Sequence, residues 1–136
     1  MKLTKQDKML TLDSILLKPG FKGTPNDVYF ERIMNSLEGR NNVSGAELMV
    51  ICEESLAPEN PGINVSAGHH GGAILPYFEF FTKSRLFEGY SHVPHEQIAG
   101  HMAEGVAYLG RVGVAKATSG PGATNLVTPI FDAYMD

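Results

Sequence analysis

The chain has 136 residues, of which 43% are hydrophobic and 19% are charged, a composition typical of one globular domain and not of a disordered or fibrous protein. Its 11 lysines and arginines against 15 aspartates and glutamates give a formal charge of -4, which offers no basic surface for nucleic acid. No apolar run approaches the roughly twenty residues of a membrane-spanning helix, and the single cysteine, Cys52, excludes an internal disulfide, so a reducing compartment is expected.

Residues 1–43 contain no motif that indicates chemistry, and we interpret them as a leader or appended arm that is partly disordered. A stretch rich in glycine, proline and lysine over residues 18–23 separates a lysine-rich start from one short predicted helix. That helix begins at Thr24-Pro25-Asn26-Asp27, where an N-cap residue is followed by a proline at the first helical position. Gly39 is predicted to end it.

Residues 44–136 show alternating helical and strand patterns, and we interpret them as the folded domain. Ser44-Gly45-Ala46-Glu47 is a capping box that starts a predicted helix ending near residue 56. The predicted strands cover residues 63–67, 90–93 and 112–117. The helices that follow them are predicted over residues 73–82, 95–109 and 123–136. Strands that alternate with helices across glycine-rich turns are typical of βαβ units, so the sequence predicts an α/β fold with a parallel sheet flanked by helices.

The predicted helix over residues 95–109 carries two stripes of side chains. The first repeats apolar residues at the spacing of a helix face that packs on a core: Ile98, Met102, Val106 and Leu109. The second repeats small residues, which allow another backbone to come close: Gly100, Ala103 and Ala107.

A glycine-rich turn over residues 118–125 follows the third predicted strand. Gly120 and Gly122 lack a Cβ, so a ligand or a neighbouring backbone is able to approach closely. Ligands of parallel α/β sheets bind at the carboxyl ends of strands, where this turn lies, although an ordinary tight turn has the same pattern. A dinucleotide-binding fingerprint is disfavoured, because Asn125 stands where its third glycine is needed.

His95-Glu96-Gln97 lies in the first turn of the predicted helix that follows the second strand. The helix dipole favours a carboxylate at this position, and the alternatives are a site residue at the sheet edge or an ordinary solvated glutamate. The six-residue spacing of His95 and His101 does not match the zinc-protease pattern, in which two histidines four residues apart share a helix face. We therefore assign no metal ligand.

Residues 71–136 resemble the N-terminal pyrimidine-binding domain of acetolactate synthase (acetohydroxyacid synthase), a thiamine-diphosphate enzyme. The matching stretches are Gly71-Gly72-Ala73-Ile74-Leu75-Pro76, His95-Glu96-Gln97, His101-Met102-Ala103-Glu104-Gly105 and residues 117–125. The tail over residues 127–136 fits as well, and residues 44–67 fit more loosely.

The resemblance implies a catalytic role for Glu96, whose carboxylate would hydrogen-bond N1′ of the aminopyrimidine and so promote loss of the thiazolium C2 proton. The cofactor-binding residues that it implies are Gly72, Glu96, Thr118, Pro121 and Asn125. The implied reaction is the decarboxylation of pyruvate and its condensation with a second 2-ketoacid, pyruvate or 2-ketobutyrate, in the biosynthesis of isoleucine and valine.

The resemblance also implies a homodimer, with the stripe of Gly100, Ala103 and Ala107 near the contact, and a possible regulatory subunit, but neither nucleic acid nor membrane as partner. The FAD-binding domain and the domain that holds Mg²⁺ would lie beyond residue 136, so this chain is expected to be a fragment that is inactive alone. The expected compartment is the cytoplasm of a bacterium, or a mitochondrion or plastid. Another thiamine-diphosphate decarboxylase or carboligase, or a non-catalytic α/β interaction module, is the alternative.

Overall fold

Three short parallel strands form the centre of the computed structural model, which describes residues 27–136 and the side chains from residue 31 onward. The strands are β1 (Ser66–Gly68), β2 (Tyr90–His92) and β3 (Val114–Lys116), in the order β2-β1-β3. The helices are α1 (Asp27–Leu37), α2 (Gly45–Leu56), α3 (Leu75–Phe81), α4 (Glu96–Tyr108), α5 (Pro121–Thr124) and α6 (Val127–Met135). The predicted α/β fold with a parallel sheet flanked by helices is confirmed.

The third strand is shorter than predicted, at Val114–Lys116, and the two larger corrections to the predicted boundaries follow from prolines. The first strand begins at Ser66 and not at residue 63, because Pro61–Asn64 forms a 3₁₀ turn with proline at its start. The last helix is divided into α5 and α6 at residues 125–126. Pro129 has no N–H for an i−4 carbonyl, so one continuous helix through it would lose a hydrogen bond and clash with the preceding turn.

Helix α1 packs on α2, although its sequence belongs to the predicted arm. Met34, Leu37 and Ile51 form a buried cluster between the two helices. Arg32 adds a bidentate ion pair with Glu59, at 2.7 and 2.8 Å. The described part of the arm therefore contacts the domain, while the predicted N-cap at Thr24 lies outside the described residues and the boundary at residue 43 stays a prediction.

The sheet packs on its two faces against very different side chains. One face meets α2 and α3 through a core of large residues: Val50, Ala57, Ile63, Tyr77, Phe78, Phe81 and Leu86. The other face meets α4 through Ala67, Val93 and Ala99, which form a much thinner layer. Helix α4 consequently lies close to the sheet, and a Cβ on Gly113 would be 1.9 Å from the carbonyl oxygen of Ala103.

This close packing reverses the predicted orientation of α4. The predicted apolar face is wrong, because Ile98 is 44% exposed and Leu109 is 74% exposed, whereas Ala99 is fully buried. Only small side chains fit between α4 and the alanines of the sheet, so Ile98, Met102 and Leu109 face outward, while Val106 is partly buried near Gly62. The stripe of small residues does allow a close approach, since a Cβ on Gly100 would be 2.3 Å from Cγ of Pro129 in α6.

A buried ion pair crosses the large-residue core. The Nζ atom of Lys116 lies 2.9 Å from Oε2 of Glu53 and 4.5 Å from the centre of the Phe81 ring. The hydroxyl of Tyr77 donates to the same carboxylate oxygen at 2.7 Å. Burial lowers the pKa of Lys116, and the Glu53 carboxylate opposes that shift. Strand β3 is thus tied to α2 by a charged contact inside an aromatic environment.

Within residues 27–136, no helix combines the length and the hydropathy required to cross a bilayer.

Candidate functional site

Backbone hydrogen bonds bring three loops to the carboxyl edge of the sheet. The N–H of His69 donates to the carbonyl of Lys116 at 3.1 Å, and the N–H of Val93 donates to the carbonyl of Gly68 at 3.0 Å. These bonds extend the strand pairing by one residue on each side of β1. The segments that follow β1, β2 and β3 therefore begin side by side, as expected for ligand-binding loops of a parallel sheet.

Glu96 is the first residue of α4 and lies at this edge with only 6% of its surface exposed. The side chain of the N-cap residue His95 accepts the N–H of Gln97, so the helix begins without using the Glu96 carboxylate as a cap. The side-chain amide of Asn125 instead donates to Oε2 of Glu96 at 2.9 Å. The interpretation of Glu96 as an ordinary solvated glutamate is therefore wrong.

The environment keeps this carboxylate ionised. The amide of Asn125 and the backbone N–H of Glu96 itself lower the carboxyl pKa, and they outweigh the opposite effect of burial. The nearby imidazoles of His69 and His95 shift the pKa in the same direction. Glu96 is thus a hydrogen-bond acceptor at neutral pH, and it loses that character only when the pH falls through its lowered pKa.

Two glycines allow the loops to close around Glu96. A Cβ on Gly122 would be 2.9 Å from Oε1 of Glu96 and 2.8 Å from Cγ2 of Thr118. A Cβ on Gly71 would be 2.4 Å from that same Thr118 atom. Gly120 has a φ of +63°, a conformation that favours glycine. The glycine-rich turn is therefore shaped by contact with the carboxylate, and not only by the need for a tight turn.

This packing predicts different effects for two adjacent glycines. Gly71→Ala should destabilise the domain by about 1–3 kcal/mol, because its methyl group would overlap Thr118. Gly72→Ala is the matched control, since a Cβ there has no heavy atom within 4 Å and should change stability by less than about 0.5 kcal/mol. Urea unfolding of both variants measures the difference, and equal free energies of unfolding would contradict the described packing.

The structure brings together three of the predicted site residues, namely Glu96, Thr118 and Asn125. Pro121 lies at the surface as the first residue of α5, and its carbonyl accepts the backbone N–H of Asn125 at 3.0 Å. Gly72 begins a short 3₁₀ turn with open space beside it. Pro121 thus supports Asn125 from behind, and the roles of all five residues in cofactor binding remain predictions.

Sequence reasoning missed Gly71 and His69 as members of the site. Gly71 belongs to a glycine pair, but only the fold determines which of the two contacts Thr118. The Nδ1 atom of His69 lies 2.8 Å from the carbonyl oxygen of Val93, which fixes the ring close to Glu96. No spacing rule connects His69 with a carbonyl 24 residues later.

His95 and His101 have separate structural roles, as their spacing predicts. His95 caps α4, whereas the Nδ1 atom of His101 lies 2.9 Å from Oε2 of Glu104 and 3.8 Å from Oδ2 of Asp132. A side-chain hydrogen bond between His101 and Glu104, three residues apart on one helix, accounts for this group. We therefore do not assign it to the site at Glu96.

Known proteins are similar in sequence to much of this chain. Residues 57–136 match the family model described as thiamine pyrophosphate enzyme, N-terminal TPP binding domain. An acetolactate synthase of Mycobacterium bovis is 47% identical over 95 residues, which are 69% of this chain and 14% of that protein. The acetolactate synthase large subunit of Lactococcus lactis is 42% identical over 106 residues, 76% of this chain and 17% of that protein.

The mitochondrial acetolactate synthase catalytic subunit of Saccharomyces cerevisiae is 46% identical over 87 residues, covering 63% of this chain and 12% of that protein. The chain thus spans only about a seventh of the length of the curated relatives that it matches. No solved structure shows significant similarity to it. Because the family model covers more than half of its residues, the chain belongs to the thiamine pyrophosphate enzymes, as an N-terminal TPP-binding domain related to that of acetolactate synthase large subunits.

Proposed function

We propose that this chain forms the pyrimidine-binding part of an acetolactate synthase, a transferase that condenses pyruvate with a second 2-ketoacid, pyruvate or 2-ketobutyrate. The observation that carries the proposal is the buried, ionised carboxylate of Glu96, held by Asn125 at 2.9 Å beside a glycine turn. Relatives that are 42–47% identical to this chain are named acetolactate synthase in bacteria and in a mitochondrion. We propose a bacterial cytoplasm, a mitochondrion or a plastid as the compartment.

The residues present fit the aminopyrimidine ring of thiamine diphosphate. A ring nitrogen that shares a proton with the protein through a hydrogen bond needs an ionised acceptor. The lowered pKa of Glu96 provides one. A flat ring also needs a wall without projecting side chains, and Gly72 has open space beside it. Because burial strengthens electrostatic interactions, a carboxylate at this position acts more strongly on the ring than an exposed one.

Each residue of the site then has a defined task. Thiamine diphosphate, when bound, supplies the carbon nucleophile that 2-ketoacid condensation requires. Glu96 would hold the proton that it shares with the pyrimidine ring nitrogen, and Asn125 would keep the carboxylate oriented toward that atom. Thr118 and the glycines packed on it would exclude water from behind the carboxylate. Pro121 would fix the backbone of Asn125.

The remaining requirements of such a synthase would be met outside the described residues. We assign no Mg²⁺ or FAD site to residues 27–136 and propose that both bind in the parts of a complete synthase that this chain does not match. The chain alone is therefore expected to form no acetolactate.

Exposed apolar side chains on α4 and α6, among them Ile98, Phe131 and Tyr134, support a proposed homodimer. We propose that a regulatory subunit binds to this homodimer.

Replacing a segment in a complete enzyme tests the proposed function. The chain is substituted for the matching 106-residue segment of the Lactococcus lactis large subunit, and acetolactate formation from pyruvate is measured. We expect activity that depends on added thiamine diphosphate. A chimera with the circular dichroism spectrum and oligomeric state of the parent enzyme, but without detectable acetolactate formation, would contradict the proposal and favour a non-catalytic module.

A further inference from the structure

Three imidazole rings are stacked at the carboxyl ends of β1 and β2. The rings of His69 and His92 are 5.1 Å apart with an angle of 25° between their planes. The rings of His92 and His70 are 4.6 Å apart at 17°. The strand register causes this arrangement, because Gly68 at the end of β1 lies opposite His92 at the end of β2. We call these three residues the histidine stack.

The two ends of the histidine stack are held in different ways. His69 is anchored to the sheet by its backbone N–H and by the contact of its Nδ1 atom with the Val93 carbonyl. Among the described residues, His70 at the other end is held by ring contacts, with Phe78 at 4.3 Å and Tyr90 at 6.2 Å in addition to His92. The ring that is least firmly held is therefore the one next to Gly71.

The groups facing the stack favour neutral rings at its outer end. Among the described residues, the charges acting on His70 are the imidazoles of His92 and His69, and both oppose its protonation. The phenol of Tyr90 is kept neutral, since burial raises its pKa. The negative charge of Glu96 attracts the imidazole of His69, which is the anchored end of the stack. A proton on His70 is thus disfavoured by desolvation and by the neighbouring imidazoles of His92 and His69.

A direct chain of contacts connects the histidine stack with the candidate site. Gly71 follows His70 and packs against Thr118 so closely that no Cβ fits between them. Thr118 in turn contacts Gly122, which lies against the Glu96 carboxylate. A movement of His70 away from His92 would therefore draw Gly71 from Thr118 and loosen the wall behind Glu96.

We propose that the histidine stack is a pH-sensitive latch, which holds residues 69–72 against Thr118 at neutral pH and releases them when His70 is protonated. The proposal adds regulation to the proposed site, but it concerns the free chain and needs no cofactor. Desolvation and the two neighbouring imidazoles lower the pKa of His70 below its ordinary value of about 6.5. The stabilisation by neutral His70 is accordingly present above that ordinary value and is lost as the pH falls through the lowered pKa.

Nuclear magnetic resonance of the full chain between pH 8 and pH 5 tests the latch directly. The imidazole resonances of His70 and the Cγ2 methyl resonance of Thr118 are followed together, with the exchange protection of the Ile74 amide, which donates to the Gly71 carbonyl at 3.1 Å. We expect one common midpoint below about 6.5 and a loss of Ile74 protection of at least about tenfold. A Thr118 methyl that does not follow the His70 titration would overturn the proposal.

Two substitutions of the exposed His92 separate charge from stacking. His92→Phe retains an aromatic ring without a titratable group and should raise the His70 midpoint toward the ordinary value while reducing the Thr118 response. His92→Gln removes the ring and should abolish the coupled titration of His70 and Thr118. It provides an independent test if the phenylalanine ring of His92→Phe does not fit in the stack. His101→Gln changes a histidine outside the stack and should leave the transition unaltered. An unchanged transition in both His92 variants would overturn the latch, whatever the chimera shows about Glu96.

Discussion

Glu96→Gln in the active chimera is expected to lower kcat for acetolactate formation by about 10²–10⁴-fold, the usual contribution of a general acid–base group. A neutral amide accepts a hydrogen bond weakly and is not able to hold the proton of the pyrimidine ring nitrogen. The substitution preserves the size of the side chain beside Gly122, so the loop packing should be retained. Steady-state kinetics with saturating thiamine diphosphate measures the effect separately from any loss of cofactor affinity.

Glu104→Gln is the matched control, because Glu104 lies on the same helix, its side chain is only 9% exposed, and it bonds to His101 and not to Asn125. We expect its kcat to stay within about twofold of the unsubstituted chimera, which is less than about 0.5 kcal/mol of barrier. If Glu96→Gln also remained within that limit, the catalytic assignment of Glu96 would be wrong.

Glu53→Met is expected to destabilise the domain by about 3–5 kcal/mol, because it leaves the ammonium group of Lys116 buried without a counter-charge. Lys116 is only 5% exposed, whereas the side chain of Glu53 is 21% exposed. The reverse change, Lys116→Met, should therefore cost less, since water and the Tyr77 hydroxyl continue to solvate Glu53. Urea unfolding of each variant gives the two free energies.

The double variant Glu53→Met with Lys116→Met tests whether the two charges act as a pair. Well-packed apolar residues often replace a buried ion pair without loss, so the double variant should be more stable than Glu53→Met alone. Destabilisations that simply add would contradict the described pairing. Glu59→Gln at the surface bridge to Arg32 is the comparison, and a much smaller effect is expected there.

Sequence reasoning was sufficient where the determinants are local. One half of the predicted capping box at Ser44 is confirmed, since the Glu47 N–H donates to the serine hydroxyl oxygen at 3.1 Å, while the Glu47 carboxylate pairs with Arg40. The glycine turn after β3 and the glutamate at the start of α4 are also set by neighbouring residues. Because carboxyl ends of parallel strands share one edge, the meeting of Glu96 and Asn125 follows from the predicted α/β fold.

The rest depends on contacts between distant parts of the chain. Lys116 in a strand pattern gives no indication that its partner is Glu53, 63 residues earlier. The outward orientation of Ile98 depends on the small alanines across from α4, which helical periodicity does not report. The histidine stack likewise arises from the register of β1 and β2, since His70 follows β1 and His92 ends β2.

The most direct test of the account is the state of the pyrimidine ring itself. Thiamine diphosphate labelled with ¹⁵N at N1′ is bound to the chimera, and its nitrogen resonance is recorded for the unsubstituted, Glu96→Gln and Glu104→Gln proteins. A hydrogen bond between Glu96 and N1′ predicts a clear change of the N1′ resonance in Glu96→Gln and none in Glu104→Gln. Identical N1′ resonances in all three cofactor-bound proteins would show that Glu96 does not contact the ring.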